Sequence, residues 1–284
     1  MLPILHQSYW RDEAFSVLLA SKGIKDIILL TIKDVHPPQY YLLLHFWIRL
    51  FGDTEYVTRT LSLLFLFLTV FVCFFLLKHL LKNWKIALMG AMGIMLNPIM
   101  IEYAFETRAY MFFTLSVLTA VLFYLKRKYF LSSIFLAFMV LTHNFSIFFL
   151  TAFLAYWFYL NKKSLLKRIV QFIFLFSFPF FVSLGWLVFL WQQWVEVASG
   201  FWIEPKTSSI FVETFRIFFQ GVKDYPTKGM LYNLTLALVF IAFSYWIIRK
   251  IGKEKDKNQS DKNASLLATL FSIPFLIVYI ISTF

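Results

Sequence analysis

The chain has a single cysteine, Cys73, among 284 residues. That excludes a disulfide framework and a cysteine-rich zinc site. Charge is scarce as well. Only 15% of the residues are Asp, Glu, Lys or Arg, against 60% hydrophobic and 21% aromatic, and the mean hydropathy is +0.73. A water-soluble fold of this length cannot hide so much apolar surface, whereas lipid is a solvent for it. Nucleotide-binding loops are missing: no GxGxxG and no Walker pattern occurs. No internal repeat stands out, and the one low-complexity stretch is the charged segment 249–263. The net charge of +12 is no nucleic-acid footprint, because the basic residues sit in short blocks between apolar runs.

What the sequence does have is a series of uncharged runs: 60–77, 86–101, 109–125, 129–160, 169–193, 229–248 and 264–284. Most approach the roughly 20 residues of a helical membrane span. The run 129–160 is too long for one span and is flanked on both sides by basic clusters. It therefore reads as a hairpin of two short helices with Thr142-His143-Asn144 at its tip. The expected fold is all-α and polytopic, a single transmembrane domain over 1–284 with about eight spans.

Loop charge orients these spans. Segments 78–85, 126–128, 161–168 and 249–263 hold 16 of the 27 Lys and Arg but only three of the 15 acids. The other side keeps 11 basic and 12 acidic residues. The positive-inside rule puts the basic loops in the cytoplasm and segments 1–56 and 192–228 outside it. The expected location is the cell membrane, with membrane lipids as surroundings. This orientation starts the chain outside the cytoplasm with no apolar run ahead of Trp10, so an upstream span is expected. The last run reaches Phe284 within a span, so the C-terminus is expected to be cut short.

The outer side carries the informative motifs. Trp10-Arg11-Asp12-Glu13-Ala14-Phe15-Ser16 places two carboxylates among apolar residues. Apolar surroundings make a carboxylate a stronger base, and a pair of solvated loop acids is the plain alternative. Asp34-Val35-His36-Pro37-Pro38-Gln39-Tyr40-Tyr41 has its prolines where a helix begins. The following stretch to Phe51 sets His45 and Arg49 on one face and reads as a helix lying in the membrane interface.

Between two spans comes Asn97-Pro98, then Glu102, Glu106-Thr107-Arg108-Ala109-Tyr110. Glu102 and Glu106 are expected to share a helical face, as are Glu106 and Tyr110. A Glu106–Arg108 surface pair is one reading of this segment. An arginine at a membrane surface is also a fitting phosphate ligand, since its planar fork matches the oxyanion. His143 is either a satisfied structural group or a site residue sunk towards the outer side. Arg59, at the outer end of a span, reads as an interface anchor. Lys206, Arg216, Lys223 and Lys228 fall in the 192–228 loop, where any of them could be solvated.

Together these motifs resemble the GT-C superfamily of membrane glycosyltransferases. The resemblance covers residues 8–160 and points to the branch of protein O-mannosyltransferases, aminoarabinose transferases and lipopolysaccharide galacturonosyltransferases (glycosyltransferase families 39 and 83). It implies an inverting enzyme that takes a sugar from a polyprenyl-phosphate donor at the extracytoplasmic face. The acceptor would be a lipid, a glycan or a protein. By the same resemblance Asp12 is the base for the acceptor hydroxyl and Glu13 supports it. Arg108 and His143 bind the donor phosphate, and Asp34, His36, Glu106 and Tyr110 line the substrate cavity. Asp12, Glu13, Asp34 and His36 are oxygen and nitrogen ligands that could hold a divalent metal. The rival classes are a transporter or flippase for a lipid-linked saccharide, and a protein of the O-antigen ligase or polymerase kind. The first should carry ionisable residues in mid-span. The second leans on arginines in a large outer loop.

Overall fold

The computed structural model describes residues 7–200 apart from Val35 and Lys163. The runs 229–248 and 264–284, the charged segment 249–263 and most of 192–228 lie outside the described residues. Among the described residues the fold is all-helical. The chain divides into two compact units; the described parts of the first are 7–73, 103–147 and 166–200, and those of the second are 74–102 and 148–165.

The described residues before Glu55 build three short helices. α1 (Arg11–Ala20) opens with Asp12 and Glu13 in its first turn, where negative charge suits the exposed N–H groups. Four of its five buried positions, Glu13, Ser16, Val17 and Ala20, follow helical spacing and make one face, with Leu19 buried beside it. α2 (Ile24–Ile32) buries Ile27 and Thr31. α3 (Gln39–Phe51) begins immediately after Pro38, as the proline pair predicts. It buries Tyr40, Tyr41, Leu44 and His45. The α1–α3 contact is pinned by His45, whose Nδ1 lies 2.7 Å from the Ala20 carbonyl, and by the Phe15–Tyr41 edge contact. Gly52 closes α3 at φ 98°, a left-handed conformation that glycine adopts without a Cβ penalty.

The apolar runs expected as spans become helices wherever they fall in the described residues. α4 (Glu55–Leu81) has 27 residues and is long and apolar enough to cross a membrane, as is the segment Leu166–Trp186. The run 86–101 is not straight. It forms α5 (Trp84–Met95) and α6 (Pro98–Ala104), bent by 60°. Asn97 Oδ1 accepts from the N–H groups of Ile99 and Met100 while Pro98 takes the first helical position, so a cap and a proline start a new helix in mid-run.

Three shorter apolar helices follow: α7 (Tyr110–Leu125), α8 (Tyr129–Val140) and α9 (Ser146–Asn161). The run 129–160 is thus broken at 141–145, where the hairpin tip was expected. α10 (Ile169–Gly200) carries Pro179 inside and continues past 192. The first residues of the expected 192–228 loop are therefore helical.

In the first unit, α7 and α8 form an antiparallel pair around small buried residues. Ser132 Oγ donates to the Ala120 carbonyl at 2.8 Å, and Ser116, Ala120, Ser132 and Ala137 are fully buried. Small residues let two backbones approach closely, which is how helices associate where lipid removes the hydrophobic driving force. Larger rings then fill the seam, Phe123 on Phe135 and Phe112 on Phe138. The turn 126–128 holds Arg127 at φ 59°, and the Lys128 N–H reaches the Phe123 carbonyl across it.

Candidate active site

The first unit gathers the motifs around Asp12, Asp34, Arg108 and His143. The first anchor is Glu13, buried with a side-chain exposure of 2%. Both its oxygens are taken. Arg59 Nε donates to Oε1 at 2.9 Å and Arg59 Nη2 to Oε2 at 2.7 Å, a bidentate pair. The backbone N–H of Thr107 adds a third bond to Oε1 at 2.8 Å. Arg59 is itself buried and spends Nη1 on the Gln7 carbonyl at 2.7 Å. It is not the interface anchor expected from the sequence. Removing one partner of such a buried pair leaves an uncompensated charge and costs about 3–5 kcal/mol.

Neutral hydroxyls flank the pair. Thr107 Oγ1 donates to Thr58 Oγ1 at 3.0 Å, and the Tyr9 hydroxyl lies 3.0 Å from the same oxygen while donating to the Asp53 carbonyl. Burial raises the Tyr9 pKa and keeps it protonated; Thr58 and Arg59 pull the other way, Glu55 and Glu13 with burial. Thr58, Arg59 and Thr107 were not singled out as site residues. One signal was available for Arg59: a cation in the first turns of an apolar span has to find an anion, and Asp12-Glu13 lie on the same side.

Asp12 lives differently from its neighbour. Its side chain is 40% exposed, and Arg108 Nη2 stands 3.4 Å from its Oδ2. Each carboxylate of the pair therefore faces an arginine, Glu13 in a buried setting and Asp12 in an open one. Arg108 is nearly buried but loosely held. Its other contacts, to the Asp12 carbonyl and the Tyr110 hydroxyl, are both 3.5 Å long. Its guanidinium also lies over the Tyr110 ring at 5.6 Å. Burial opposes the Arg108 charge, but Tyr110 and Asp12 favour it and the net shift is upward. Arg108 is thus a firmly charged fork with weak existing bonds, unlike Arg59 with bonds of 2.7–2.9 Å.

The segment 105–109 is not helical, so Glu106 shares no helical face with Glu102 or Tyr110. Glu106 is half-buried in the turn, and its carbonyl accepts the Arg108 N–H at 2.9 Å.

A line of aromatic contacts continues from Tyr110. Its ring lies 5.9 Å from His143, and His143 meets His36 edge-on at 5.4 Å. His36 Nδ1 is then 3.4 Å from Asp34 Oδ2, too poorly aligned for a hydrogen bond. The Gln39 N–H donates to the Leu141 carbonyl and Trp186 Nε1 to Asn144 Oδ1, so α3 and α10 both hold the connection that carries His143. His143 Nδ1 accepts from the Phe145 N–H at 3.2 Å, which leaves the ring proton on Nε2. In this connection between helices burial pushes its pKa down to about 3, helped by His36 and Arg108. His143 is a neutral donor at physiological pH.

Asp12, Arg108, Tyr110, His143, His36 and Asp34 thus form one continuous strip from four separate stretches of chain. Its Asp12 end pairs an accessible carboxylate with a charged guanidinium. The four residues named as metal candidates do not converge, since Glu13 is spent on Arg59 and Thr107. Among the described residues no three His, Cys, Asp or Glu side chains form a ligand set.

Comparison with known proteins bears on the chemistry. Searches of curated proteins and of solved structures return no significant match. The profile of the family described as dolichyl-phosphate-mannose-protein mannosyltransferase matches residues 35–186, more than half of the chain. The match covers the His36-Pro37-Pro38 motif, Arg59, Arg108, Tyr110 and His143 and begins after Asp12-Glu13. An apolar chain that is all-helical among its described residues, and whose larger part carries this profile, belongs to the dolichyl-phosphate-mannose-protein mannosyltransferase family and is a GT-C-type membrane glycosyltransferase.

Proposed function

We propose that the protein moves a sugar from a polyprenyl-phosphate donor to a hydroxyl acceptor at the extracytoplasmic face of the membrane, with inversion at the anomeric carbon. The observation that carries this is the Asp12–Arg108 pair, an accessible carboxylate 3.4 Å from a loosely bonded cation. Asp12 takes the proton of the acceptor hydroxyl as its oxygen attacks the anomeric carbon. The bond from that carbon to the phosphate oxygen breaks on the opposite face, and the polyprenyl phosphate leaves with the bonding electrons. Arg108 exchanges its long contacts for the phosphate, whose charge grows in the transition state. His143 donates from Nε2 to the same group. Asp34, His36, Glu106 and Tyr110 bind substrate, and Glu13 supports Asp12 from the buried side.

The loop-charge asymmetry supports the extracytoplasmic face, and the five apolar runs that become helices among the described residues support a polytopic topology, read as eight spans with α3 in the interface. The absence of any nucleotide-binding loop motif favours a lipid-linked donor over a nucleotide sugar. The acceptor class (lipid, glycan or protein) is the part the site constrains least.

The test is transfer of radiolabelled sugar from a panel of polyprenyl-phosphate sugars and of nucleotide sugars, in membranes carrying the chain. Transfer from a polyprenyl-phosphate donor, lost in Arg108→Ala, is expected. Transfer from nucleotide sugars alone would remove the lipid-phosphate donor. No transfer from any donor would bring back the carrier-transport reading.

A further inference from the structure

We infer that Arg59 is a positioning residue of the transfer site, which through Glu13 and the Thr107 N–H sets Arg108 to receive the donor phosphate. The inference rests on Arg108 being the phosphate ligand, as proposed above.

The Glu13 carboxylate binds the backbone at Thr107, one residue before Arg108, and is itself one residue after Asp12. A single buried carboxylate therefore fixes the chain beside both members of the Asp12–Arg108 pair. The turn that carries Arg108 is not helical, so it has no ladder of its own to define it. Bonds that hold it include the Thr107 N–H to Glu13, the Thr107 hydroxyl to Thr58, and the Arg108 N–H to the Glu106 carbonyl.

Arg59 holds that carboxylate by two bonds and ties it to Gln7 by a third. The fork fixes the plane of the carboxylate as well as its place, which a lysine point charge does not do. Misplacing a reacting group by about 1 Å costs on the order of 100-fold in rate. Arg59 lies in the first turns of α4, a helix long enough to span the membrane, so the outer turn is referenced to a rigid element.

The test uses the full chain in nanodiscs with undecaprenyl phosphate as the probe, and thermal midpoints to report folding. Arg108→Ala is expected to weaken binding of the probe at least tenfold. Arg59→Lys, which keeps the charge and loses the fork, is expected to weaken it three- to tenfold with little change in midpoint. In an Arg108→Ala background Arg59→Lys should have no further effect, because Arg59 acts through Arg108. If Arg59→Lys does not fold, the paired change Glu13→Leu with Arg59→Met removes both charges together and serves in its place.

A folded Arg59 variant that binds undecaprenyl phosphate as wild type does, while Arg108→Ala does not, overturns the positioning role alone. Losses that add in the double variant overturn it too. Unchanged binding in Arg108→Ala overturns the phosphate assignment and the inference that rests on it.

Discussion

Two neighbouring carboxylates have opposite environments, and the contrast separates chemistry from scaffolding. Asp12 is open and faces a loosely bonded guanidinium; Glu13 is sealed against Arg59. Glu13→Gln should therefore act through folding, lowering stability by about 3–5 kcal/mol because Arg59 is left unbalanced, read as a fall in thermal midpoint. His143 gives a pH signature. Its folded pKa of about 3 lies below the ordinary value of about 6.5. Between those values the unfolded chain binds a proton that the folded one refuses. Stability is therefore full above about pH 6.5 and is lost as pH falls towards 3. Thermal midpoints should drop on acidification through this window, with a shallower slope in His143→Asn. At this scale the sequence showed residue types but not pairings. Asp12, Asp34, His36, Arg108, Tyr110 and His143 could each be named, because ionisable and polar groups beside apolar spans stand out. Which acid meets which arginine depends on contacts between residues 46 and 96 positions apart, and local pattern carries no information on those.

At the scale of elements the period of apolar residues was a good guide and capping chemistry the better one. The runs 60–77, 109–125 and 129–160 became helices, the last with a break at 141–145 around the expected tip at 142–144. The run 86–101 bent because Asn97 and Pro98 start a helix of their own, a cap-and-proline signal visible in the sequence. Glu106 left the helical face assigned to it because α6 ends at Ala104 and 105–109 is not helical. The α7–α8 seam offers a test. Ser132 is fully buried and donates to Ala120. Ser132→Ala should cost about 0.6 kcal/mol, the usual worth of such a bond between membrane helices. Ser132→Leu should cost about 1–3 kcal/mol by overpacking the seam. Denaturant titration of the purified protein in one detergent compares the two.

For the whole molecule, loop charge sets orientation and orientation decides on which face the strip works. Cys73 is buried and is the only cysteine, so a Cys73→Ala background gives a clean test. A cysteine in place of Lys22 should react with a membrane-impermeant maleimide on intact cells. A cysteine in place of Lys126 should react only after permeabilisation. The reverse pattern would put the site in the cytoplasm.

The most direct test of the central claim is the rate of sugar transfer from a polyprenyl-phosphate donor in membranes carrying wild type or Asp12→Asn at equal protein level. A loss of about 10²–10⁴-fold is expected, the usual worth of a positioned general base, with the thermal midpoint unchanged. An Asp12→Asn protein that transfers sugar at the wild-type rate would contradict that claim and remove Asp12 from the reaction.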